Sequence, residues 1–416
     1  MRKRTANATA NKRGARAMSD PALSGEAGHE PLTLALLCAA MLVGVFAFIE
    51  VYSVQSILPI LVQDFQATPV AAGATVGATV LAVALTSPFM GMISDAFGRK
   101  GILVGAIFFL ALPTWLIAGA QSIGELTCYR FLQGLAIPGI TVVMIAYIGE
   151  EFRGRNTTRI MSIYIAGTVL GGFLGRFLVG HLSALTNWRT AFQIMAAINL
   201  AGAFLLWKAL PASRNFVGNP HFRSALRTLW QHLHNAQLHI ACALGACVLF
   251  SLVGGFTYVN LHLAEPPFSL SSAGLANIFT IYLIGVLITP LSSWLIHRLG
   301  FARTIVLAVS CSVGGIVLTL VPDTVVILVA LTILSCGVFI TQAATTSFIA
   351  THVTTGRSLA SGLYYLSYYT GGATGAALCG YAYTHYGWPG TVAAIVLAQT
   401  AAITIAALLM ERKGGA

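Results

Sequence analysis

The stretch Gly171-Gly172-Phe-Leu-Gly175 recurs two hundred residues later as Gly371-Gly372-Ala-Thr-Gly375. Residues around it match at the same spacing in three pairs: Tyr164 with Tyr364, Gly180 with Gly380, and Trp188 with Trp388. A repeat of this length in an apolar chain indicates two equivalent halves that carry the same set of membrane helices. Secondary transporters are commonly built in this way and bind their substrate between the repeats. The repeat therefore predicts both an architecture and a class of function.

The composition is that of an integral membrane protein. Hydrophobic residues make up 57% of the 416 residues, charged residues only 8%, and the mean hydropathy is +0.82. A soluble domain has about 25% charged residues. Runs of about twenty apolar residues are each long enough to cross a hydrocarbon core of about 30 Å. They predict twelve spans, at about 34–58, 70–94, 101–120, 125–149, 160–183, 190–210, 238–261, 273–296, 303–321, 325–349, 359–382 and 390–410.

The fold class predicted from these runs is all-α and integral to the membrane, with twelve transmembrane helices in two pseudo-symmetric six-helix bundles. A polar stretch at 211–237 separates six spans from six, and residues 1–31 lack an apolar run. The predicted regions are a disordered cytoplasmic tail at 1–31, an N-terminal bundle at 32–210, a central cytoplasmic loop at 211–237, a C-terminal bundle at 238–410 and a cytoplasmic tail at 411–416.

The net charge of +11 reflects topology and does not indicate a nucleic-acid partner. Of the 23 Lys and Arg residues, Arg130 and Arg176 fall in the interior of spans, Lys208 falls at the end of its span next to the central loop, and only Arg189 lies on the side that follows odd-numbered spans. Positive residues are retained on the cytoplasmic side and contact anionic lipid heads. Both termini are therefore expected inside.

Nothing in the sequence indicates a metal or a cofactor. All seven cysteines lie within predicted spans without metal-ligand spacing, so we interpret them as small packing residues. His232 and His234 are close together but lie in the polar central loop without a carboxylate partner.

The loop between spans two and three carries the most specific motif. It reads Gly91-Met-Ile-Ser-Asp95-Ala-Phe-Gly98-Arg99-Lys100 and resembles the signature loop of the major facilitator superfamily. The resemblance covers about residues 32–410 and is strongest to twelve-helix bacterial drug:proton antiporters, including sugar-efflux members. It implies the major facilitator fold, with two six-helix bundles, alternating access and a cavity between them.

The same resemblance implies a gating and charge-relay set. We expect Gly91 to allow close contact with the opposite half, and Arg99 to reach a carboxylate at the inner end of span four. The full set is Gly91, Asp95, Gly98, Arg99, Lys100 and Glu150. An ordinary cytoplasmic turn with positive-inside charges is the alternative interpretation of this loop.

Three ionisable residues lie deep in the predicted spans: Glu50, Arg130 and Arg176. Arg130 begins a stretch, Arg130-Phe-Leu-Gln133-Gly134, that is similar to the family's span-four pattern. Burial favours the neutral form of a carboxyl group and a nearby arginine favours the charged form, so we expect Glu50 and Arg130 to serve proton coupling. A permanent Glu50–Arg130 ion pair is the alternative.

Span five departs from the motif that the family associates with proton antiport, because Gly172 replaces a proline and Arg176 replaces the last glycine. These changes leave the direction of transport open. Two arginines against one glutamate give a net positive site, which suits an anionic or sugar-like substrate. Snorkelling of Arg176 towards the outer surface is the alternative.

Aromatic and polar side chains in several spans are expected to line a substrate cavity, since small-molecule sites combine apolar walls with a few polar groups. The expected cavity residues are Tyr52, Gln55, Arg176, Phe256, Tyr258, Asn260, Gln342, Thr345, Tyr364, Tyr365 and Tyr368. Small residues at four-residue spacing also predict close helix packing. The expected helix-interface glycines are Gly167, Gly171, Gly172, Gly175, Gly371 and Gly375.

The predicted function is secondary transport, by proton-coupled efflux of a drug-like or sugar-like small molecule. Proton-coupled uptake, or facilitated transport of a small organic anion or sugar, is the alternative. An enzyme is not expected, because the chain has no HExxH or GxSxG motif, and it has no phosphate-binding loop for ATP. The expected partners are the substrate, protons and the lipid bilayer, with a proton gradient as energy source and a monomeric chain.

Overall fold

The computed structural model describes residues 33–152, 155–213, 232, 234–353 and 357–407. The predicted tails at 1–31 and 411–416, and most of the predicted loop at 211–237, lie outside these residues. Within them the secondary structure is helical, with no β-strand. Among these described residues, nine helices are long and apolar enough to cross a bilayer, and the bent pair Leu34–Phe48 and Ser53–Asp64 forms a further span.

Two long helices each contain a break at a glycine with positive φ. Gly387 (φ 62°) divides Arg357–Ile405, whose 49 residues would extend about 74 Å if straight, more than twice the hydrocarbon thickness. Gly300 (φ 77°) divides Ile284–Leu318, and the part before it continues from the shorter helix Ser272–Ile278. The described residues therefore form twelve spans, which confirms the expected fold class.

The twelve spans agree with the sequence-based bounds to within a few residues at most ends. In order they are Leu34–Phe48 with the 3₁₀ turn Ser53–Ile57 and Leu58–Asp64 (span 1), Pro69–Phe97 (2), Arg99–Ala118 (3), Ile123–Glu151 (4), Arg155–Leu185 (5), Trp188–Ala209 (6), Ala236–Ala264 (7), Ser272–Ile278 through the 3₁₀ turn Phe279–Leu283 to 299 (8), 301–318 (9), Thr324–His352 (10), 357–386 (11) and 388–405 (12).

Short connections make consecutive spans antiparallel, so the loops alternate between two ends of the molecule. Gly98 and Val353 mark one end, which we call the Gly98 end. Gln121, between spans 3 and 4, marks the opposite end, which we call the Gln121 end. Side-chain hydroxyl or amide groups cap several helix starts, as Ser122 does for span 4 and Asn187 for span 6.

Glycines bring spans 1 and 5 into backbone contact. Gly171 lies against the backbone of Val45, and Gly175 lies against that of Ile49, so that a Cβ atom at either glycine would overlap with the neighbouring chain. The second half repeats this contact between spans 7 and 11, with Gly371 against Ala246 and Gly375 against Phe250. The repeated glycines therefore mark equivalent helix pairs in the two halves.

The same structure corrects one expected interface glycine. Gly167 does pack against the backbone of Met41, but Gly172 does not contact another helix backbone. A Cβ atom at Gly172 would meet only the Arg176 side chain, at 3.6 Å. Gly172 faces the space between the halves because it lies one residue, about 100° of helix rotation, from Gly171.

The two halves meet mainly at the Gln121 end. Gly180 of span 5 lies against Ala276 of span 8, and spans 2 and 11 pack along each other. Tyr258 of span 7 inserts its hydroxyl between Gly73 of span 2 and Gly380 of span 11. These contacts close the interface there, and they leave space between the halves nearer the Gly98 end.

Candidate functional site: a cavity between the halves and a buried polar cluster

A cavity of about 370 Å³ lies between the two halves. Its wall takes residues from spans 1, 2, 4 and 5 of the first half and from spans 7, 8, 10 and 11 of the second. Ser87, Ile145 and Thr346 belong to the parts of their helices nearer the Gly98 end, so the cavity extends towards that end. A volume in this range is typical of small-molecule sites.

Most of the cavity wall is aromatic or aliphatic. Six tyrosines line it: Tyr52, Tyr164, Tyr282, Tyr365, Tyr368 and Tyr369. Phe339, Leu249 and Met161 add apolar surface, and Gln342 adds an amide. Among the residues described, the wall contains no Asp or Glu, and Arg176 is its charged member.

Arg176 forms the floor of the cavity and is almost fully buried, with 1% of its surface exposed. Its Nε donates a hydrogen bond to Gln55 Oε1 at 2.7 Å, and Nη1 donates to the Gly172 carbonyl at 2.5 Å. Three rings surround the guanidinium carbon, with centroids at 4.5 Å for Tyr52, 4.6 Å for Phe279 and 4.4 Å for Tyr282. The side chain therefore points inward, which contradicts the snorkelling alternative.

Five of the expected cavity residues are in the wall: Tyr52, Arg176, Gln342, Tyr365 and Tyr368. Six are not: Gln55, Phe256, Tyr258, Asn260, Thr345 and Tyr364. Gln55 lies behind Arg176 and donates to Thr257 of the second half, while Phe256 packs on Tyr282. The expectations for these six residues were wrong because spacing along a helix shows which side chains share a face of that helix. It does not show whether the face borders the cavity or packs against another helix.

The other four corrected residues are held by contacts inside their own half or in the closed interface. Asn260 donates to the Phe256 carbonyl, and Thr345 donates to the Thr341 carbonyl one turn earlier. Tyr258 donates to the Ala376 carbonyl in the interface between spans 7 and 11. Tyr364 is 1% exposed and packs against Gly245 of span 7.

Glu50 lies in a separate buried cluster at the bend of span 1, where the two parts of the span differ in direction by 52°. Its Oε1 accepts a hydrogen bond from Asn199 Nδ2 at 2.8 Å. Its Oε2 accepts from Ser53 Oγ at 3.3 Å and from Gln133 Nε2 at 3.4 Å. Thr114 accepts from Gln133 at 2.7 Å, so spans 1, 3, 4 and 6 all contribute.

Arg130 stabilises the bend through backbone carbonyls. Nη1 donates to the carbonyl of Glu50 at 2.6 Å, and Nη2 donates to that of Val51 at 2.5 Å. Nε donates to the Thr75 carbonyl at 3.2 Å, and Nη1 also donates to Gln133 Oε1 at 2.6 Å. The alternative of a direct Glu50–Arg130 ion pair is not observed, because the interrupted helix presents carbonyl groups that need donors in the apolar interior.

The structure does not bring the three deep charges into one site. Glu50 and Arg130 share the cluster inside the first half, whereas Arg176 faces the second half and its Tyr282. Counting residues along a helix gives the depth of a charged side chain in the membrane. It does not give the direction around the helix axis in which that side chain points. The sequence did not identify three residues of these sites: Asn199, Thr114 and Phe279. For Asn199 the only signal was a single amide side chain in an apolar stretch, Ile198-Asn199-Leu200.

At the Gly98 end, Arg99 forms a two-point ion pair with Glu150, with Nε to Oε2 at 3.0 Å and Nη2 to Oε1 at 2.5 Å. Arg99 also donates to Ser94 Oγ, and Lys100 donates to the Leu210 carbonyl at the end of span 6. Gly98 adopts φ 90°, which favours glycine at this turn. The Asp95 side chain lies outside the described part of the chain.

Gly91 does not make the expected contact with the opposite half. The nearest group to a Cβ atom built at Gly91 is Val142 of span 4 in the same half, at 4.0 Å. Span 2 meets the second half at positions nearer the Gln121 end, where Gly77 faces Ala376 of span 11. Span 2 also approaches span 11 nearer the Gly98 end, where the backbone of Pro88 lies 4.0 Å from a Cβ atom built at Gly362.

Proteins similar to this chain in sequence or in fold are membrane transporters. The family model described as Major Facilitator Superfamily matches residues 40–358. The inner membrane transport protein YnfM of Escherichia coli (strain K12) is 30% identical over 388 residues, covering 92% of this chain and 91% of that protein. An uncharacterized transporter of Buchnera aphidicola (subsp. Schizaphis graminum) is 28% identical and covers 91% of both. The solved structure of the nucleoside transporter NupG has a TM-score of 0.76 at 14% identity, with 90% of this chain and 100% of that chain covered.

Proposed function

Since this chain belongs to the major facilitator superfamily, we propose that it is a proton-coupled antiporter that exports a small molecule by alternating access. The chain is a multi-pass membrane transporter and not an enzyme. Proton coupling, the direction of transport and the nature of the substrate are the parts that we propose. The relay motif supports alternating access, and the buried carboxylate of Glu50 supports coupling.

The bend of span 1 is the observation that carries the proposal. Glu50 on one side of the bend is held by Asn199 and Gln133, while Tyr52 and Gln55 on the other side contact Arg176 at the cavity floor. A proton site and a substrate site therefore share five or six residues of one irregular segment. Intramembrane carboxylates are rare and by default functional.

The chemistry of coupling follows from hydrogen-bond strength. Donors bind an ionised carboxylate more strongly than a neutral carboxyl group. Protonation of Glu50 weakens the hydrogen bonds from Asn199 and Gln133, which releases the bend towards a second geometry. Tyr52 and Gln55 move with the bend, so the floor of the cavity differs between the two protonation states. Binding of substrate to the floor then biases release of the proton.

The topology that we propose places the Gly98 end in the cytoplasm of a bacterium, with both termini on that side. The distribution of Lys and Arg supports this orientation. The cavity in this structure is then accessible from the cytoplasm, where an exporter loads its substrate. The proton gradient supplies the energy without a bound cofactor, and one chain carries both halves of the cavity. We propose that the Arg99–Glu150 pair acts as a gate on this side.

The test uses the full-length protein in liposomes that enclose a pH-sensitive dye, with equal pH on both sides and the membrane potential clamped. Toluenesulfonate, tetraphenylphosphonium or glucose is added outside, and uptake of the labelled probe is measured in parallel. Antiport raises the internal pH as the substrate enters, and this holds for either orientation of the protein. Glu50→Gln should abolish the pH change, whereas Glu125→Gln, an exposed residue at the Gln121 end, should leave it intact.

Proton-coupled uptake of an organic anion is the second candidate, and Arg176 in a cavity without a described carboxylate is the observation that favours it. In the same liposomes this mode lowers the internal pH when substrate enters. Facilitated transport gives uptake without a pH change. Probe uptake that is accompanied by an equal pH change in native protein and in Glu50→Gln would refute the role of Glu50.

A further inference from the structure

We propose that the cavity binds small aromatic organic anions and that Arg176 recognises their negative charge. The inference names the substrate class of the site described above and in that respect rests on the proposed transport function. It is argued from the charge, the contacts and the lining of the cavity floor, none of which depends on protons or on the direction of transport.

The charge of Arg176 has no compensation from the protein groups that contact it. Gln55 offers an amide oxygen, Gly172 offers a backbone carbonyl and Tyr282 offers a hydroxyl group, and all three are neutral acceptors. The wall of the cavity, as far as it is described, contains no Asp or Glu. A buried charge without an opposite charge costs several kcal/mol even after relaxation. A bound anion would remove this cost, so the site favours a negatively charged ligand over a neutral one.

Contacts with aromatic rings do not replace that anion. The rings of Tyr52, Phe279 and Tyr282 lie 4.4 to 4.6 Å from the guanidinium carbon. Cation–π contacts are worth about 0.5–2 kcal/mol each at most sites, so the three rings offset part of the desolvation cost of the charge but supply no opposite charge. Their main effect is to fix the orientation of the guanidinium plane. A fixed guanidinium suits a planar carboxylate or a sulfonate, which accept two parallel hydrogen bonds.

The walls above the floor select the rest of the ligand. Tyr365 and Tyr369 stack with centroids at 6.1 Å, and Tyr368 lies edge-on to both. Phe339 and Leu249 face the same space. Aromatic rings bind well between such surfaces, and the absence of a carboxylate from the described wall disfavours a cation. An aromatic ring with one acidic group therefore matches both the floor and the walls.

The alternative of a purely structural Arg176 makes a different prediction for this residue. A structural arginine would be satisfied by its protein contacts, and its removal would lower stability without changing which probe binds. Arg130 in the same half is an example, because its guanidinium contacts three backbone carbonyls and does not line the cavity. Arg176 differs because it faces the cavity.

Binding to the purified full-length protein in detergent, without any proton gradient, tests the proposal. The probes are toluenesulfonate, its neutral isostere methyl tolyl sulfone and the cation trimethylphenylammonium. We expect native protein to bind toluenesulfonate at least about tenfold more tightly than the sulfone, since a hydrogen bond to a charged group is worth about 1.5–3 kcal/mol. This preference needs no variant and is the first result to obtain.

Variants then assign the preference to one residue. Arg176→Gln should weaken toluenesulfonate binding at least about tenfold and leave sulfone binding within about twofold. Arg176→Lys should retain the preference for the anion but bind more weakly, because an ammonium group lacks the planar fork. Arg189→Gln, a matched change of an arginine that stacks on Trp188 at the Gln121 end, should have no effect.

Three results would overturn the proposal: no toluenesulfonate binding at millimolar concentration, equal or tighter binding of the cation, or unchanged anion preference in Arg176→Gln. The outcome is separate from that of the transport assay. If Glu50→Gln leaves proton movement unchanged while the anion preference holds, proton coupling at Glu50 fails and the anion site stands. If the anion preference is absent while probes still drive proton movement that Glu50→Gln abolishes, the anion site fails and proton coupling at Glu50 stands.

Discussion

Replacement of Arg130 by methionine tests how the bend of span 1 is stabilised. The change keeps much of the side-chain volume but removes every donor to the carbonyls of Glu50, Val51 and Thr75. It also leaves the buried carboxylate of Glu50 without the nearest positive charge. Removal of one partner from a buried charged pair typically costs about 3–5 kcal/mol. For a chain of this size we expect the melting temperature to fall by roughly 5–10 °C.

The assay is thermal unfolding of the purified protein in detergent, followed with a dye that becomes fluorescent on reaction with thiols. Accessible cysteines are blocked beforehand, so that the signal reports exposure of Cys379, which is fully buried. Arg189→Met is the matched control. Arg189 also donates to two carbonyls, those of Ala118 and Ala120, but it is half-buried at the Gln121 end, where water can replace it.

A second substitution separates the two sources of the loss. Glu50→Gln in the Arg130→Met background removes the uncompensated carboxylate, so about half of the lost stability should return. The remaining loss belongs to the carbonyls at the bend. The reasoning is refuted if Arg130→Met is no more harmful than Arg189→Met. It is also refuted if the double variant melts no higher than Arg130→Met alone.

Two further predictions concern packing and access. Gly175→Ala should lower the unfolding free energy by about 1–3 kcal/mol in the same melting assay, because the new Cβ overlaps with the backbone at Ile49. Gly101→Ala, where the surrounding space is open, should be neutral, and an equal effect of both changes would contradict the close contact. In a cysteine-free background, Thr346→Cys should react with a membrane-impermeant thiol reagent added from the Gly98 end. Thr345→Cys should be protected, since that side chain is buried outside the cavity, and equal labelling of the two would place the cavity wrongly.

Features that depend on local sequence were predictable. The twelve spans follow from the lengths of apolar runs, and the pairing of Arg99 with Glu150 was implied by the resemblance of the loop at 91–100 to the signature motif of the family. The recurrence of the Gly171 pattern at Gly371 likewise identifies equivalent helix pairs in the two halves. Each of these inferences uses spacing along a single segment, or the side of the membrane on which a residue lies.

Features that depend on the rotation and the neighbours of a helix were not predictable. Thr345 was expected in the cavity and Thr346 is there, because one residue turns a side chain by about 100°. The similar depth of Arg176 and Glu50 in the sequence predicts one shared site, yet Arg176 faces the other half. Phe279 and Tyr282 were missed because nothing in their apolar stretch marks them as neighbours of an arginine in span 5. Such contacts exist only once the halves are assembled.

The backbone contact between spans 1 and 5 limits how the transporter can move. Gly171 and Gly175 leave no gap through which the two helices could slide or roll against each other. The helix that carries Glu50 and the helix that carries Arg176 therefore travel as one solid piece during the transport cycle. In the proposed alternating-access cycle, the spacing between Glu50 and the cavity floor then has to stay nearly constant while the two halves tilt. Under that proposal, communication between Glu50 and the floor takes place over a short distance within the bend, and the movement of the halves decides only which side of the membrane the floor faces.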